Sequence, residues 1–159
     1  AFPEDPAARV VAQVEREIAV NFTGLVKLTV ACLPALARAE EAAIVNVSSG
    51  LALVPKASAP IYCATKAAVH SFSKALRYQL EDHRSAIRLF EVLPPMVDTQ
   101  MTAGRGEKPG QKITTDQVAA ETLEGMRRDR YEIRVAKVKL LHWVNRFAPG
   151  LAERILRRV

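Results

Sequence analysis

At 159 residues, 49% of them hydrophobic and 25% charged, the chain has the length and composition of one ordinary globular domain with a real core. No uncharged apolar run reaches the roughly 18 residues expected of a membrane span, and no basic-then-apolar leader is visible, so a cytoplasmic location is expected. The net charge of +6 is uneven: Arg127 to Val159 holds ten Lys or Arg against three acids, while residues 1–126 hold 13 basic and 14 acidic groups, so the basicity belongs to the tail and not to the body.

In chain order, residues 7–37 predict a long helical stretch, with Val10, Val14, Ile18, Phe22 and Leu25 at three- and four-residue spacing. Asp5-Pro6 is its start signal, and Gly24 and Pro34 count against one unbroken helix. AAIVNVSSG predicts a buried strand over about 43–48 that ends in small polar residues. Residues 51–60 form a loop, and Pro60 opens a second long helix running to Asp82. IRLFEVLPP is another apolar strand, over 86–93, stopped by Pro94-Pro95. The stretch 98–113 holds three glycines, a proline and several charges, which predicts a mobile loop. TTDQVAAETLEGMRRD is a helix with a Thr-x-Asp start, and residues 131–137 are a third strand. Residues 138–159 read as two short amphipathic helices divided at Pro149-Gly150. Cys32 and Cys63 have no metal-like spacing and are expected to be buried reduced thiols. His70, His83 and His142 share no metal spacing either, so surface or helix-end positions are expected and no metal site is assigned.

Alternating helices and strands are the pattern of a parallel α/β sheet. In such sheets the working residues gather where the strands end. The two loops in that position begin at Ser48-Ser49 and at Pro94, and they bracket the helix that carries Tyr62 and Lys66. Four residues is about one helical turn, so the phenol and the ammonium share a face. Alone, that pair equally suits an amphipathic surface contact; its partners distinguish the two readings.

Those partners resemble the short-chain dehydrogenases/reductases. Ser49 lies thirteen residues before Tyr62, the interval usual in that family, and Tyr62-Cys63-Ala64-Thr65-Lys66 matches its Tyr-x-x-x-Lys. Asn21 stands where the family keeps a fourth catalytic residue, and LPPMVDT is similar to its cofactor segment through Pro94, Val97 and Thr99. The wording around these motifs is closest to the DltE-like bacterial branch. The resemblance runs along essentially the whole chain and corresponds to the later two-thirds of an intact member.

The resemblance implies a Rossmann-like doubly wound parallel sheet and an NAD(P)-dependent oxidoreductase. Residues 1–159 would form a single, partial domain of this kind, with 138–159 a basic helical tail. Carbonyl reduction needs a hydride on carbon and a proton on the developing alkoxide. A free tyrosine, with a pKa of about 10, is a poor acid–base at neutral pH, and a cation one turn away favours its phenolate. The implied roles are Tyr62 as general acid/base, Lys66 as its tuner and ligand of the nicotinamide ribose, Ser49 holding the substrate oxygen, and Asn21 positioning a relay water. Tyr62, Lys66, Pro94, Val97 and Thr99 would contact NAD or NADP. Leu51, Leu53, Pro95, Met96 and Met101 flank the motifs and suggest a hydrophobic ketone, aldehyde or alcohol as substrate.

Two departures stand out. The family's glycine after Pro94 is Pro95 here, which removes an N–H and stiffens the loop. The seven glycines never form the Gly-rich turn that lets a backbone approach a pyrophosphate. The family further implies a homodimer or homotetramer through helices 7–37 and 60–82, and the alternative function is a non-catalytic remnant that acts through those helices. The basic tail, with Trp143 and Phe147, permits membrane contact, although a solvated face or an oligomer contact is preferred. No spacing of aromatics among basic residues points to nucleic acid.

Overall fold

The computed structural model describes residues 6–104 and 112–157. Asp5 and the centre of the 98–113 loop lie outside the described residues.

The first helical stretch is a rod with a wider turn inserted. Helices α1 (Pro6–Ile18) and α2 (Gly24–Leu36) are joined by a π-helical turn over Ala19–Thr23. The Gly24 N–H bonds back five residues to the Ala19 carbonyl, and a Cβ at 24 would stand 3.1 Å from that oxygen. Glycine therefore admits the wide turn instead of ending the helix. The turn seats on the second long helix, α3 (Pro60–Asp82), where Phe22 meets Phe72 edge to face at 6.3 Å between ring centroids.

By length and composition the run Ala7–Leu36 would suffice to cross a membrane, a property the search for uncharged runs missed because Lys27 interrupts it. Only 6% of its apolar window is buried, and Val10, Val11, Ile18, Val20, Leu28 and Val30 are exposed.

Strands β1 (Ala42–Val47), β2 (Ile87–Leu93) and β3 (Glu132–Arg134) form one sheet in the order β1-β2-β3, with both pairs parallel. Parallel neighbours require crossovers. Helices α3 and α4 (Thr115–Arg127) supply them, one on each face, as the doubly wound Rossmann-like reading expects. Helix α4 starts on a reciprocal cap between Thr114 and Gln117. It approaches the sheet at Gly125, where a Cβ would come within 2.6 Å of the Ile133 side chain. That face is apolar, with Phe90, Val92, Ile133 and Val135 buried against Val118 and Met126.

The third strand is shorter than the predicted 131–137, because Ala136 adopts φ 47° and turns the chain into α5 (Val138–Phe147). Helix α6 (Pro149–Leu156) follows, divided from α5 where the proline predicts. Trp143 and Phe147 stack at 5.7 Å and both are exposed.

The face under α3 is held differently. Register places Asn46 opposite Glu91 and Glu91 opposite Glu132. Asn46 Nδ2 donates to Ser73 Oγ at 2.9 Å, and His70 Nδ1 lies 2.7 Å from Glu91 Oε2. His70 is thus not the surface or helix-end residue expected; its side chain is 23% exposed and faces the sheet. His83 does sit at a helix end, bonding the Gln79 carbonyl. Cys63 is buried as expected, whereas Cys32 is exposed because its helix face has nothing against it among the described residues.

The hydrogen bond to Glu91 raises the His70 pKa above its ordinary 6.5, with burial opposing. The folded state therefore holds a proton that the unfolded chain releases first. Stability from this pair should be complete below about pH 6.5 and should fall as the pH rises through the folded pKa. Thermal melts from pH 5.5 to 9 should show this decline, and His70→Gln should flatten it; an unchanged slope in that variant would remove His70 as its source.

Candidate active site

Ser49 follows the last residues of β1 in extended conformation and caps the short turn Gly50–Ala52, accepting the Leu51 N–H on its hydroxyl at 3.1 Å. The next residue, Gly50, donates its N–H to the Pro94 carbonyl at 3.0 Å, so the loops leaving β1 and β2 are bonded to each other. A Cβ on Gly50 would come within 2.8 Å of Val138, the first residue of α5. Asn145, also on α5, donates to the Leu53 carbonyl at 3.3 Å. The Ser49 loop is therefore clamped between the β2 loop and α5.

Tyr62 and Lys66 lie in the first two turns of α3, where Pro60 at the helix start fixes the entry. The Lys66 ammonium is 5.7 Å from the Tyr62 ring centroid and donates to the Val47 carbonyl at 3.0 Å. Burial pushes the Tyr62 pKa above its ordinary 10.0, and the nearby Ser49 hydroxyl partly opposes this. Burial alone pushes the Lys66 ammonium downward. The lowering of Tyr62 expected from Lys66 is not what this structure shows: burial of the phenolate raises the phenol, and the group that opposes the rise is Ser49.

Asn21 reaches the site from the π-turn, donating to Thr65 Oγ1 at 3.2 Å; Thr65 in turn donates to the Tyr62 carbonyl at 2.8 Å. An inserted wide turn shifts the helical phase, and such turns recur at functional sites. Asn21, Tyr62 and Lys66 line one open cavity of about 350 Å³. Met101 and Val20 give it apolar wall, and Gln13, Arg16 and Glu17 of α1 give it a polar rim.

The remaining predicted residues are placed differently. Pro94 joins the Ser49 loop through its carbonyl, and Val97 pairs with Ile113 in a single parallel bridge. Thr99 caps the short turn Gln100–Thr102 and bonds Thr102. Of the five apolar residues proposed to flank a substrate, Met101 lines the cavity and Leu51, Leu53, Pro95 and Met96 do not. Sequence reasoning missed Thr65 and Glu91 and misplaced His70, whereas Ser48, the structural serine of the pair on that reading, is buried and bonded to Glu91. Thr65 occupies a variable position of Tyr-x-x-x-Lys, and the one signal for Glu91 was a lone acid inside an apolar strand.

The comparisons with known proteins agree with this geometry. Residues 6–110 match the family model of the short chain dehydrogenases. The chain is similar to the uncharacterized oxidoreductase DltE of Bacillus subtilis, 41% identical over 126 residues, covering 77% of this chain and 49% of that protein. An uncharacterized oxidoreductase of Staphylococcus epidermidis is 31% identical over 109 residues, covering 69% of this chain and 46% of its own length. A short chain dehydrogenase from Burkholderia cenocepacia, solved in complex with NADP, superposes with a TM-score of 0.80 at 28% identity, over 98% of this chain and 61% of that one. A short-chain dehydrogenase from Sphingobium yanoikuyae, in complex with NADPH, gives 0.70 at 29% identity, over 89% and 54%. The chain spans about half the length of the curated relatives it matches. With the family model matched across residues 6–110, and Tyr62 and Lys66 on the helix that follows the Ser49 turn, the chain belongs to the short-chain dehydrogenase family of oxidoreductases.

Proposed function

We propose that the chain carries the chemical centre of an NAD- or NADP-dependent oxidoreductase that interconverts a hydrophobic ketone or aldehyde and its alcohol. The observation that carries this reading is the Lys66 ammonium, 5.7 Å from the Tyr62 ring centroid and bonded at 3.0 Å to the carbonyl of Val47, two residues before Ser49. A phenol as proton source and the Ser49 hydroxyl as donor would together receive a carbonyl oxygen there.

In reduction, Ser49 would donate a hydrogen bond to the substrate oxygen while Tyr62 delivers its proton to that oxygen as charge develops. Lys66, beside the ring, would stabilise the phenolate left behind. Asn21 would order the water through which Tyr62 is reprotonated. Its bond to Thr65 already ties it to the helix that carries Tyr62. A bound nicotinamide supplies or accepts the hydride. The donors present fit its ribose end, since Tyr62 and Lys66 open onto the same cavity. Pro94, Val97 and Thr99 would border that end. The sequence holds no Gly-rich motif suited to the pyrophosphate.

Val20 and Met101 provide apolar wall for the substrate. A second copy of the chain is the proposed partner, meeting it through the exposed face of α1 and α2 and through α3, in a cytoplasmic homodimer or homotetramer. That bare face also favours a second reading, in which the chain serves as a non-catalytic oligomerisation partner. Val45 and Val47, exposed on the outer strand β1, add to it.

In a full-length protein containing this sequence, Tyr62→Phe should lower kcat by about 10²–10⁴ while leaving cofactor affinity near its starting value. A variant that keeps kcat within about tenfold would refute the assignment of Tyr62.

The 159 residues alone should bind NADH and NADPH weakly and should self-associate, because β1 has an unpaired edge among the described residues and apolar faces are bare. Calorimetric titration beside a sizing column tests both halves. A monomer with micromolar cofactor affinity would be the contrary result.

A further inference from the structure

On the sheet face that meets α3, β2 presents Leu89, Glu91 and Leu93 in alternation, all buried. The leucines do what a sheet face under a helix requires. Glu91 between them is 3% exposed, and a carboxylate there needs compensation that a third leucine would not.

Both of its oxygens are used, each by a different element. Oε1 accepts the Ser48 hydroxyl, from the end of β1. Oε2 faces His70 Nδ1 at 2.7 Å, on α3. Ser48 is 2% exposed and immediately precedes Ser49; His70 lies one turn beyond Lys66 and two beyond Tyr62. One carboxylate thus joins the strand end that carries Ser49 to the helix that carries Tyr62. The other charged groups around the pair are Lys74 and Arg77 of α3 and Glu132 of β3, and Arg134 is bonded to Glu132.

We propose that Glu91 is a positioning residue for the site: by bonding Ser48 at the end of β1 and His70 on α3 it sets the place of Ser49 relative to Tyr62. The inference rests on reading Ser49 and Tyr62 as the reacting pair. Glu91 touches neither of them and acts through the residue next to Ser49 and through the helix under Tyr62. Because the Ser49 hydroxyl favours the Tyr62 phenolate, displacing it has a readout that loss of stability alone does not produce.

That readout is the titration of Tyr62, followed by NMR of protein labelled at the tyrosine ring carbon. The chain has three tyrosines, and Tyr62→Phe assigns the signal. Ser49→Ala should move the titration upward. Ser48→Ala, the mildest cut, and Glu91→Gln should move it the same way, and Glu91→Asp should restore part of the shift. Combined with Ser49→Ala, neither should add anything, since both act through the Ser49 hydroxyl already removed. Circular dichroism melts identify any variant that fails to fold, and Ser48→Ala retains the Glu91–His70 contact should Glu91→Gln be the one that fails.

In the full-length enzyme, Ser48→Ala should lower kcat by about tenfold or more with the cofactor KM little changed. A Tyr62 titration that ignores Ser48 and Glu91, or shifts that persist in the Ser49→Ala background, would overturn the proposal. A full-length protein that reduces no carbonyl, yet shows the expected Tyr62 shifts, would refute the oxidoreductase reading and leave the positioning role standing.

Discussion

A carboxylate buried in the middle of a parallel sheet loses several kcal/mol of hydration unless both oxygens find strong partners. Glu91 finds them on β1 and on α3, through Ser48 and His70. Together with the Asn46–Ser73 bond, this makes a polar seam between helix and sheet, opposite a wholly apolar face under α4. Apolar contacts tolerate sliding, since dispersion is non-directional. Hydrogen bonds at fixed positions do not. The register of α3 on the sheet is therefore set by the seam, and with it the places of Tyr62 and Lys66 relative to Ser49.

Other elements of the site are fitted to that register. The π-turn rotates Asn21 onto Thr65, and Gly24 leaves room for the turn to form. The Gly50–Pro94 bond links the loops that follow β1 and β2, and α5 closes over Gly50 with no space for a side chain. The site is thus assembled from four segments distant in sequence, each fixed by backbone or buried polar contacts. Such preorganisation is what catalysis by oriented hydrogen bonds requires.

The same structure leaves much apolar surface without cover. The rod of α1 and α2 buries little of itself, and Val45 and Val47 stand exposed on β1 beside the covered Phe90 and Val92. Exposed faces of this extent are ordinarily met by other protein or by lipid. A second copy of the chain is the covering proposed for the rod. Tyr62 shows the effect of burial at the site itself: desolvation penalises the phenolate and raises the phenol, and Ser49 partly offsets it.

Helix and strand positions were legible in the sequence because apolar spacing reports burial directly. The shared face of Tyr62 and Lys66 was legible from their four-residue spacing, whereas Ser49 was singled out by resemblance to a family. Local rules were weaker where two signals competed. Gly24 argued for a break and admitted a π-turn, and Ala136 ended β3 early through a left-handed turn that its residue type does not announce. What the sequence by itself determined was therefore the order of elements and the shared helix face of Tyr62 and Lys66. The pairing of Glu91 with Ser48 and His70, the bond from Asn21 to Thr65, and the direction of the Tyr62 shift were decided only by the tertiary structure. Each depends on residues 21 to 44 positions apart or on burial, and neither long-range contact nor local dielectric is written in the spacing of neighbouring residues.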